Sequence, residues 1–320
     1  MHAGATALSL LSAPLNVEVL SALEGEDLAL VDLSRAVGHP PATTMRSYLK
    51  ALSDLGVLER RQEGGFPGTV TYSLARPGER ILAVASALQG WLDEAPDGPI
   101  GLGDPAARSA IKALVEGWNT SIVRVLAARP LALTELAKLI TSISYPTLER
   151  RLTAMRRAGQ LQARRDESAS RGTPYEVTPW LRRAVIPLVT AVAWEREWAA
   201  VRTKALSRID IEAFFLLVLP LLELPEDLSG RCRLAVEVRP GRQPEYAGAT
   251  VALEAGRPRH MVARLESGSD AWVVGTAGSW LGWLSGPGDL QPERGGDSTL
   301  ARALLEGLRR ALLPVEAKAA

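Results

Sequence analysis

The sequence predicts an α+β fold in which a helical unit ending in a β-hairpin is written twice and a third unit of different grain follows. Three observations carry this. Sliding the chain by 103 residues lays segment 15–91 on segment 118–194 without a gap, with 15 identities in 77 pairs. Asn16 falls on Asn119, Leu28-Ala29-Leu30 on Leu131-Ala132-Leu133, Gly56 on Gly159, Tyr72 on Tyr175 and Trp91 on Trp194. A period of this length is too long for a solenoid and suits a duplicated domain. Within each copy the apolar period changes from helical to alternating, and from Ile209 onward strand-like runs between Gly/Pro-rich turns share no period with the repeats.

In the first copy, Asp32 to Val37 reads as a short helix, Gly38-His39-Pro40 as a turn, and Pro41 to Leu55 as a longer helix with Met45, Leu49 and Leu52 inside. Leu58 to Gln62 and Thr69 to Leu74 read as hairpin strands around a tip at 63–68. In the second copy, Ile111 to Ala127 is a helical pattern, and Thr134 to Ile140 a short helix closed by a turn at Thr141-Ser142. Ser144 suits an N-cap, Pro146 the first turn, and Gly159 the C′ position of a helix between them. Its buried stripe is Leu148, Leu152 and Met155; Arg150, Thr153 and Arg157 lie opposite, with Thr147 and Arg151 on the flanks. Strands Leu161 to Arg165 and Thr173 to Thr178 flank a polar tip, Asp166 to Gly172. Helix, helix-turn-helix, hairpin is the order of a winged helix.

In the second copy, Trp118-Asn119, Leu133-Thr134-Glu135-Leu136, Ser144-Tyr145-Pro146-Thr147-Leu148, Arg151-Leu152, Gly159-Gln160-Leu161, Arg164 and Tyr175-Glu176-Val177-Thr178 resemble the HxlR group of MarR-like winged-helix repressors. The resemblance implies that the Ser-led helix enters the major groove and that the hairpin is the wing. The family supplies two wings by homodimerisation. Here one chain carries both, which implies an intrachain pseudo-dimer able to work as a monomer. Trp91 and Trp194, at equivalent places on the closing helices, are expected to pack, where the family makes its dimer contact.

The overall charge of +1 hides an asymmetry. Segment 8–91 carries net −2, segment 108–208 net +10 and segment 209–320 net −3. A basic block inside a neutral chain points to a polyanionic partner, here double-stranded DNA. The expected DNA contacts in the second copy are Ser144, Thr147, Arg150, Arg151 and Arg157 on the reading helix, with Arg164, Arg165 and Arg171 on the wing. In the first copy they are Thr43, Thr44, Arg46, Ser47 and Lys50, a weaker face in which Ser47, Tyr48 and Asp54 stand where the second copy has arginines.

In the third segment, Ile209 to Leu222 reads as an apolar helix. Strands are expected at Arg231 to Arg239, Ala249 to Glu254, His260 to Glu266 and Ala271 to Val274, with helices at Gly278 to Leu284 and Ser298 to Leu313. The run Ser269 to Thr276, then Trp280-Leu281, Trp283-Leu284, Gly286, Gly296-Asp297 and Leu300-Ala301, resembles a sterol-carrier-type (SCP2-like) domain. That resemblance implies a cup with an apolar tunnel. Phe214, Phe215, Trp272, Trp280 and Trp283 are candidate lining residues for a hydrophobic small molecule; filling the core is the competing role for the same side chains.

Three scattered His and one Cys assemble no zinc site by the usual spacings, no cofactor is implied, and no catalytic constellation appears. The longest apolar stretch, Ala213 to Leu222, is too short to span a bilayer, and the N-terminus lacks a basic leader region. The expectation is therefore a cytoplasmic transcriptional regulator without enzymatic activity. Its domains are 1–100 and 101–208, both winged helices, and 209–320, a ligand-binding domain. The alternatives are an architectural protein that uses the winged helices for protein contacts, and a lipid carrier or enzyme working through the C-terminal cup.

Overall fold

The computed structural model describes residues 4–64, 69–115, 119–164, 173–199, 206–239, 241–285 and 291–313, and is α+β. In chain order the elements begin with α1 (Ala5–Leu11), α2 (Pro14–Ala22), β1 (Leu28–Ala29), α3 (Leu30–Ala36) and α4 (Ala42–Asp54). Then come β2 (Leu58–Glu63), β3 (Thr69–Leu74), α5 (Arg76–Asp93) and α6 (Pro105–Val115). Next are α7 (Asn119–Ala128), α8 (Leu133–Leu139), α9 (Tyr145–Arg157), β4 (Leu161–Ala163), β5 (Tyr175–Val177), α10 (Pro179–Arg183) and α11 (Val185–Trp198). The last stretch holds α12 (Arg208–Val218), a 3-10 turn (Leu219–Leu221), β6 (Gly230–Arg239), β7 (Glu245–Glu254) and β8 (Arg257–Val262). It closes with β9 (Ala271–Thr276), α13 (Ala277–Ser285), β10 (Glu293–Gly296) and α14 (Ser298–Leu312).

The chain divides into two compact units. The described part of the first lies in 4–115 and 187–199, and that of the second in 119–186 and 206–313. In the first unit, α4 buries Met45, Leu49 and Leu52, spaced i, i+4 and i+7, and stops at Gly56, whose φ of 70° suits a residue without a side chain. The hairpin β2–β3 gains a third strand through Leu28↔Tyr72 and Ala29↔Thr71. Helix α11 supplies the buried Glu195, whose carboxylate accepts the backbone N–H groups of Gly4, Thr6 and Ala7 and so satisfies the start of α1. Trp194, also buried, donates its indole N–H to the Pro77 carbonyl at 2.8 Å. The Arg76 guanidinium lies 5.6 Å from the centre of the Trp198 ring. Trp91 is buried in the same unit.

The offset of 103 residues runs through the observed elements. It carries the bounds of α3 onto α8 and of α4 onto α9, and the pairs Leu28↔Tyr72 and Leu58↔Leu74 onto Leu131↔Tyr175 and Leu161↔Val177. Gly159 repeats the left-handed φ of Gly56, 71° against 70°. The copies part at their closing helices. α5 is continuous, whereas its counterpart breaks between α10 and α11. Pro187 explains the break, because proline has no N–H to donate and its ring collides with the carbonyl four residues back, that of Arg183, where α10 ends. Val84 stands at the matching place in α5. The boundary between the compact units falls at this same proline.

In the second unit, β6, β7 and β8 form a meander and β9 returns parallel to β6, giving a five-stranded sheet of order β10-β9-β6-β7-β8. One face buries Cys232, Leu234 and Val236, Ala249, Val251 and Leu253, and Ala271 and Val273, beside Leu300, Leu304 and Leu308 of α14. Helix α12 opens with a capping box: Ser207 Oγ accepts from Asp210 N, and Asp210 Oδ2 accepts from Ser207 N at 3.0 Å. Asp297 caps α14 through the N–H groups of Thr299 and Leu300.

Three expectations need correction. The helical pattern 111–127 is carried by two helices, α6 and α7, with 116–118 outside the described residues. The third strand of the C-terminal sheet is β8, displaced toward the N-terminus of its expected range. Ala255 and Gly256 both have positive φ, 47° and 70°, and form a two-residue hairpin turn that starts β8 at once. After Val262 the chain leaves the ladder, and Thr250 Oγ1 holds it by donating to Arg264 O and accepting from Glu266 N. Strand β10, rich in glycine and short, was not anticipated. Its Gly295 makes room for the Trp272 indole across the strand, where a Cβ would meet the ring at 2.4 Å.

Candidate nucleic-acid interface

Helix α9 buries Leu148, Leu152 and Met155, which turns Arg150 and Arg157 outward; both are exposed and carry no ion pair among the described residues. Thr153, between them, is half-buried. Ser144 occupies the N-cap position, but its hydroxyl donates to Thr147 Oγ1 at 2.9 Å and caps no backbone N–H. Arg151 departs from the outward set. It is half-buried and its guanidinium reaches back to Asn119 Oδ1 at 3.4 Å, at the start of α7. Asn119 is itself buried, so this arginine ties α9 to the start of α7. On the wing, Arg164 is exposed and its backbone N–H extends the hairpin by donating to Pro174 O. Arg165 and Arg171 lie outside the described residues.

Helix α4 has the same length and the same buried stripe, yet a different outer face. Thr43, Arg46, Ser47 and Lys50 are exposed and Thr44 half-buried. Lys50 is held by Asp54 at 2.7 Å, one turn on. On the wing, Arg61 is held by Glu59 at 3.0 Å and Asp27 at 3.7 Å. The pairing role of these three carboxylates was not anticipated from the sequence. The Lys50–Asp54 pair has the i, i+4 spacing that signals a helix-surface ion pair, while Asp27 meets Arg61 only because β1 joins the hairpin.

A second feature missed in the sequence sits at the turn between α8 and α9. Leu139 and Tyr145 are 56% and 46% exposed, two of the few large apolar side chains so displayed among the described residues. Their counterparts in the first copy are Ala36 and Ala42.

Helix α7, which meets α9 through Asn119, is fastened to α12. Glu212 is buried and paired with Arg124, with Arg208 at 3.9 Å as a second cation. Arg182 donates to the carbonyls of Leu216 and Ala127, near the C-terminal ends of α12 and α7. Burial pulls its pKa below the usual guanidinium value, while Glu176 acts in the opposite direction.

The structure gathers four of the five expected lining residues. Phe214 meets Phe215 edge-on at 5.4 Å, Phe215 meets Trp280 at 5.6 Å, and Trp280 meets Trp283 at 6.1 Å. Phe215, Trp280 and Trp283 are buried and Phe214 half-buried, and Trp280 donates its N–H to Ala235 O at 2.9 Å. Trp272 stands apart, half-buried on Gly295. A cavity of about 520 Å³ lies elsewhere, lined by Leu222, Glu223, Leu224, Glu226, Arg257 and Pro258 among others. The one cysteine, Cys232, is buried; its burial and the nearby Asp270 and Asp297 push the thiol up to about 12.

No single described helix is long and apolar enough to cross a membrane. No curated protein matches the chain. Residues 15–97, which run from α2 through the hairpin to the end of α5, match the family model for the HxlR-like helix-turn-helix, the DNA-binding module of transcriptional regulators.

Proposed function

We propose that this chain is a cytoplasmic, non-enzymatic transcriptional regulator that binds duplex DNA through two tandem winged helices and senses an apolar small molecule through its C-terminal domain. We read three functional domains, 1–100, 101–208 and 209–320, although residues 119–186 of the second share one compact unit with the third while its described ends, 101–115 and 187–199, belong to the first unit. The observation that carries the DNA reading is the residue-for-residue equivalence of α8, α9 and the β4–β5 hairpin to the family-matched α3, α4 and β2–β3, together with the exposed Arg150 and Arg157. The DNA contacts are then Ser144, Thr147, Arg150, Arg157, Arg164, Arg165 and Arg171, with Thr43, Thr44, Arg46, Ser47 and Lys50 as the weaker set. Arg151 acts by positioning α9. The second copy's Trp194, seated on Pro77 of the first, supports a pseudo-dimer within one chain.

The sensor reading rests on the aromatic row along α12 and α13. A hydrophobic ligand that separated Phe215 from Trp280 would displace α12, which Glu212 and Arg182 fasten to α7. Ligand control requires unequal affinity for the two DNA states. The SCP2-like resemblance agrees with this seat and with an effector of lipid or polycyclic chemistry. A second reading, a protein-assembly module, is favoured by the exposed Leu139 and Tyr145 alone.

Anisotropy of a labelled duplex selected from a random-sequence pool, titrated with the full chain at several salt concentrations, tests the proposal. Binding that weakens steeply with salt is expected. Failure to enrich any duplex overturns it. Addition of a long-chain fatty acid or a polycyclic probe should quench tryptophan fluorescence and shift the duplex affinity by about 5–150-fold. Quenching without any shift would leave the domain a carrier.

A further inference from the structure

We infer that Asp27, Asp54 and Glu59 are affinity-setting residues of the first winged helix, which silence two of its exposed cations, Lys50 and Arg61, by pairing with them. The inference rests on the DNA-binding reading proposed for this chain. Lys50, on the outer face of α4, is held by Asp54 at 2.7 Å, and Arg61, on the wing, by Glu59 at 3.0 Å and Asp27 at 3.7 Å. All five side chains are more than half exposed, so none of these pairs is needed to neutralise a buried charge. Exposed pairs of this kind contribute little to stability. Their effect is on the field that an approaching phosphate meets, since each carboxylate engages a cation that a backbone oxyanion would otherwise contact.

The second copy shows what the same scaffold looks like without them. By the offset of 103 residues, Asp27, Asp54 and Glu59 correspond to Pro130, Arg157 and Gln162. Every restraining acid is absent, and one is replaced by an exposed arginine. The backbones agree closely enough that α4 and α9 share their bounds, so the difference lies in side-chain charge and not in fold. One copy is thereby kept as a weak hand that follows the register chosen by the other. Two strong hands would raise non-specific affinity, which is electrostatic and indifferent to sequence.

The test uses the full chain and the selected duplex. The variant Asp27→Asn/Asp54→Asn/Glu59→Gln should bind more tightly than wild type, an outcome that unfolding does not produce. If Lys50 and Arg61 each gain one phosphate, the slope of log K against log salt steepens by about 1.8, at about 0.9 per phosphate. The variant's advantage over wild type then grows about tenfold as salt falls from 200 to 50 mM. Adding Lys50→Gln and Arg61→Gln should abolish the gain. Unchanged affinity and slope overturn the inference, as does weaker binding, which would make the acids base contacts. Persistence of the gain without the two cations overturns it too, because the effect would then be net charge alone. A wild-type chain that binds no duplex removes the DNA reading itself.

Discussion

The segments related by the 103-residue offset share a backbone plan and differ on their outward faces. α4 and α9 are equally long, bury the same three positions and end at glycines of the same left-handed conformation. The outward positions differ: Ser47, Lys50 and Asp54 in one, Arg150, Thr153 and Arg157 in the other. Buried positions are constrained by the volume they must fill, whereas outward ones answer only to solvent and partners. A duplicated chain therefore diverges first on its surface, and that divergence is where a difference in binding between the copies is to be tested. The family model matches residues 15–97, the copy in which the exposed cations Lys50 and Arg61 are paired with acids.

The largest expected effect would break the comparison outright. Replacing Arg150 and Arg157 together by Ala should weaken duplex affinity far more than replacing Arg46 and Lys50, by about 1–3 kcal/mol for each arginine that pairs with a base edge. Equal weakening, measured by anisotropy at two salt concentrations, would mean that the copies share the load. Arg151→Ala should behave differently from either, because its guanidinium faces Asn119. It should lower affinity without flattening the salt slope, whereas removal of a phosphate partner would flatten it by about 0.9.

The next comparison is between the ways in which the copies are anchored. The second copy is fastened to α12 through the buried Glu212, whose nearer cation is Arg124. Removing one partner of a buried pair costs about 3–5 kcal/mol, and Arg124 is a third exposed, so Arg124→Ala should sit at the lower end, read from denaturant unfolding. Glu195 plays a comparable part in the first unit by accepting three N–H groups. Glu195→Ala strands donors buried beneath α11 and should cost about 1–3 kcal/mol. If Glu195→Ala unfolds the second unit first, followed by the reactivity of Cys232, the anchors are not separate. That thiol, pushed up to about 12 by burial, is protonated at neutral pH and should react only once its sheet opens.

Much of this was legible in the sequence because each copy serves as a check on the other. Met45, Leu49 and Leu52 against Leu148, Leu152 and Met155 give a buried stripe twice, and Gly56 against Gly159 gives the stop twice. What escaped depends on pairings across sequence distance. Nothing local marks Arg151 as turned inward, since its partner Asn119 is 32 residues away. The Arg61–Asp27 pair exists only once β1 has joined the hairpin. The aromatic cluster was visible as clustered tryptophans, but Trp280 and Trp283 lie on α13, whereas Trp272 lies on β9, where alternation turns it away from the face that buries Ala271 and Val273. Strand β10 hid because glycine carries no β signal, and its pairing is supported by the Trp272 ring lying over it.

The smallest expected effect sharpens a difference in backbone between the closing helices. α5 is continuous and its counterpart is cut at Arg183–Val185, a cut that Pro187 accounts for. Two causes make different forecasts. If the ring and the missing N–H alone impose it, Pro187→Ala should restore the bond from residue 187 to the Arg183 carbonyl. The new amide would then be protected in hydrogen exchange, and stability would change by well under the ~3 kcal/mol that a proline costs in a helix interior, because the native backbone has already adapted. If packing imposes the break, with α10 held by the Thr178 cap and by Arg182 on Leu216, the amide at 187 stays unprotected. Val84 in the continuous helix argues for the first cause, since that position tolerates an ordinary residue when nothing forces a bend. An unprotected amide in the variant would reverse the attribution and make Pro187 a follower of a bend the fold had already set.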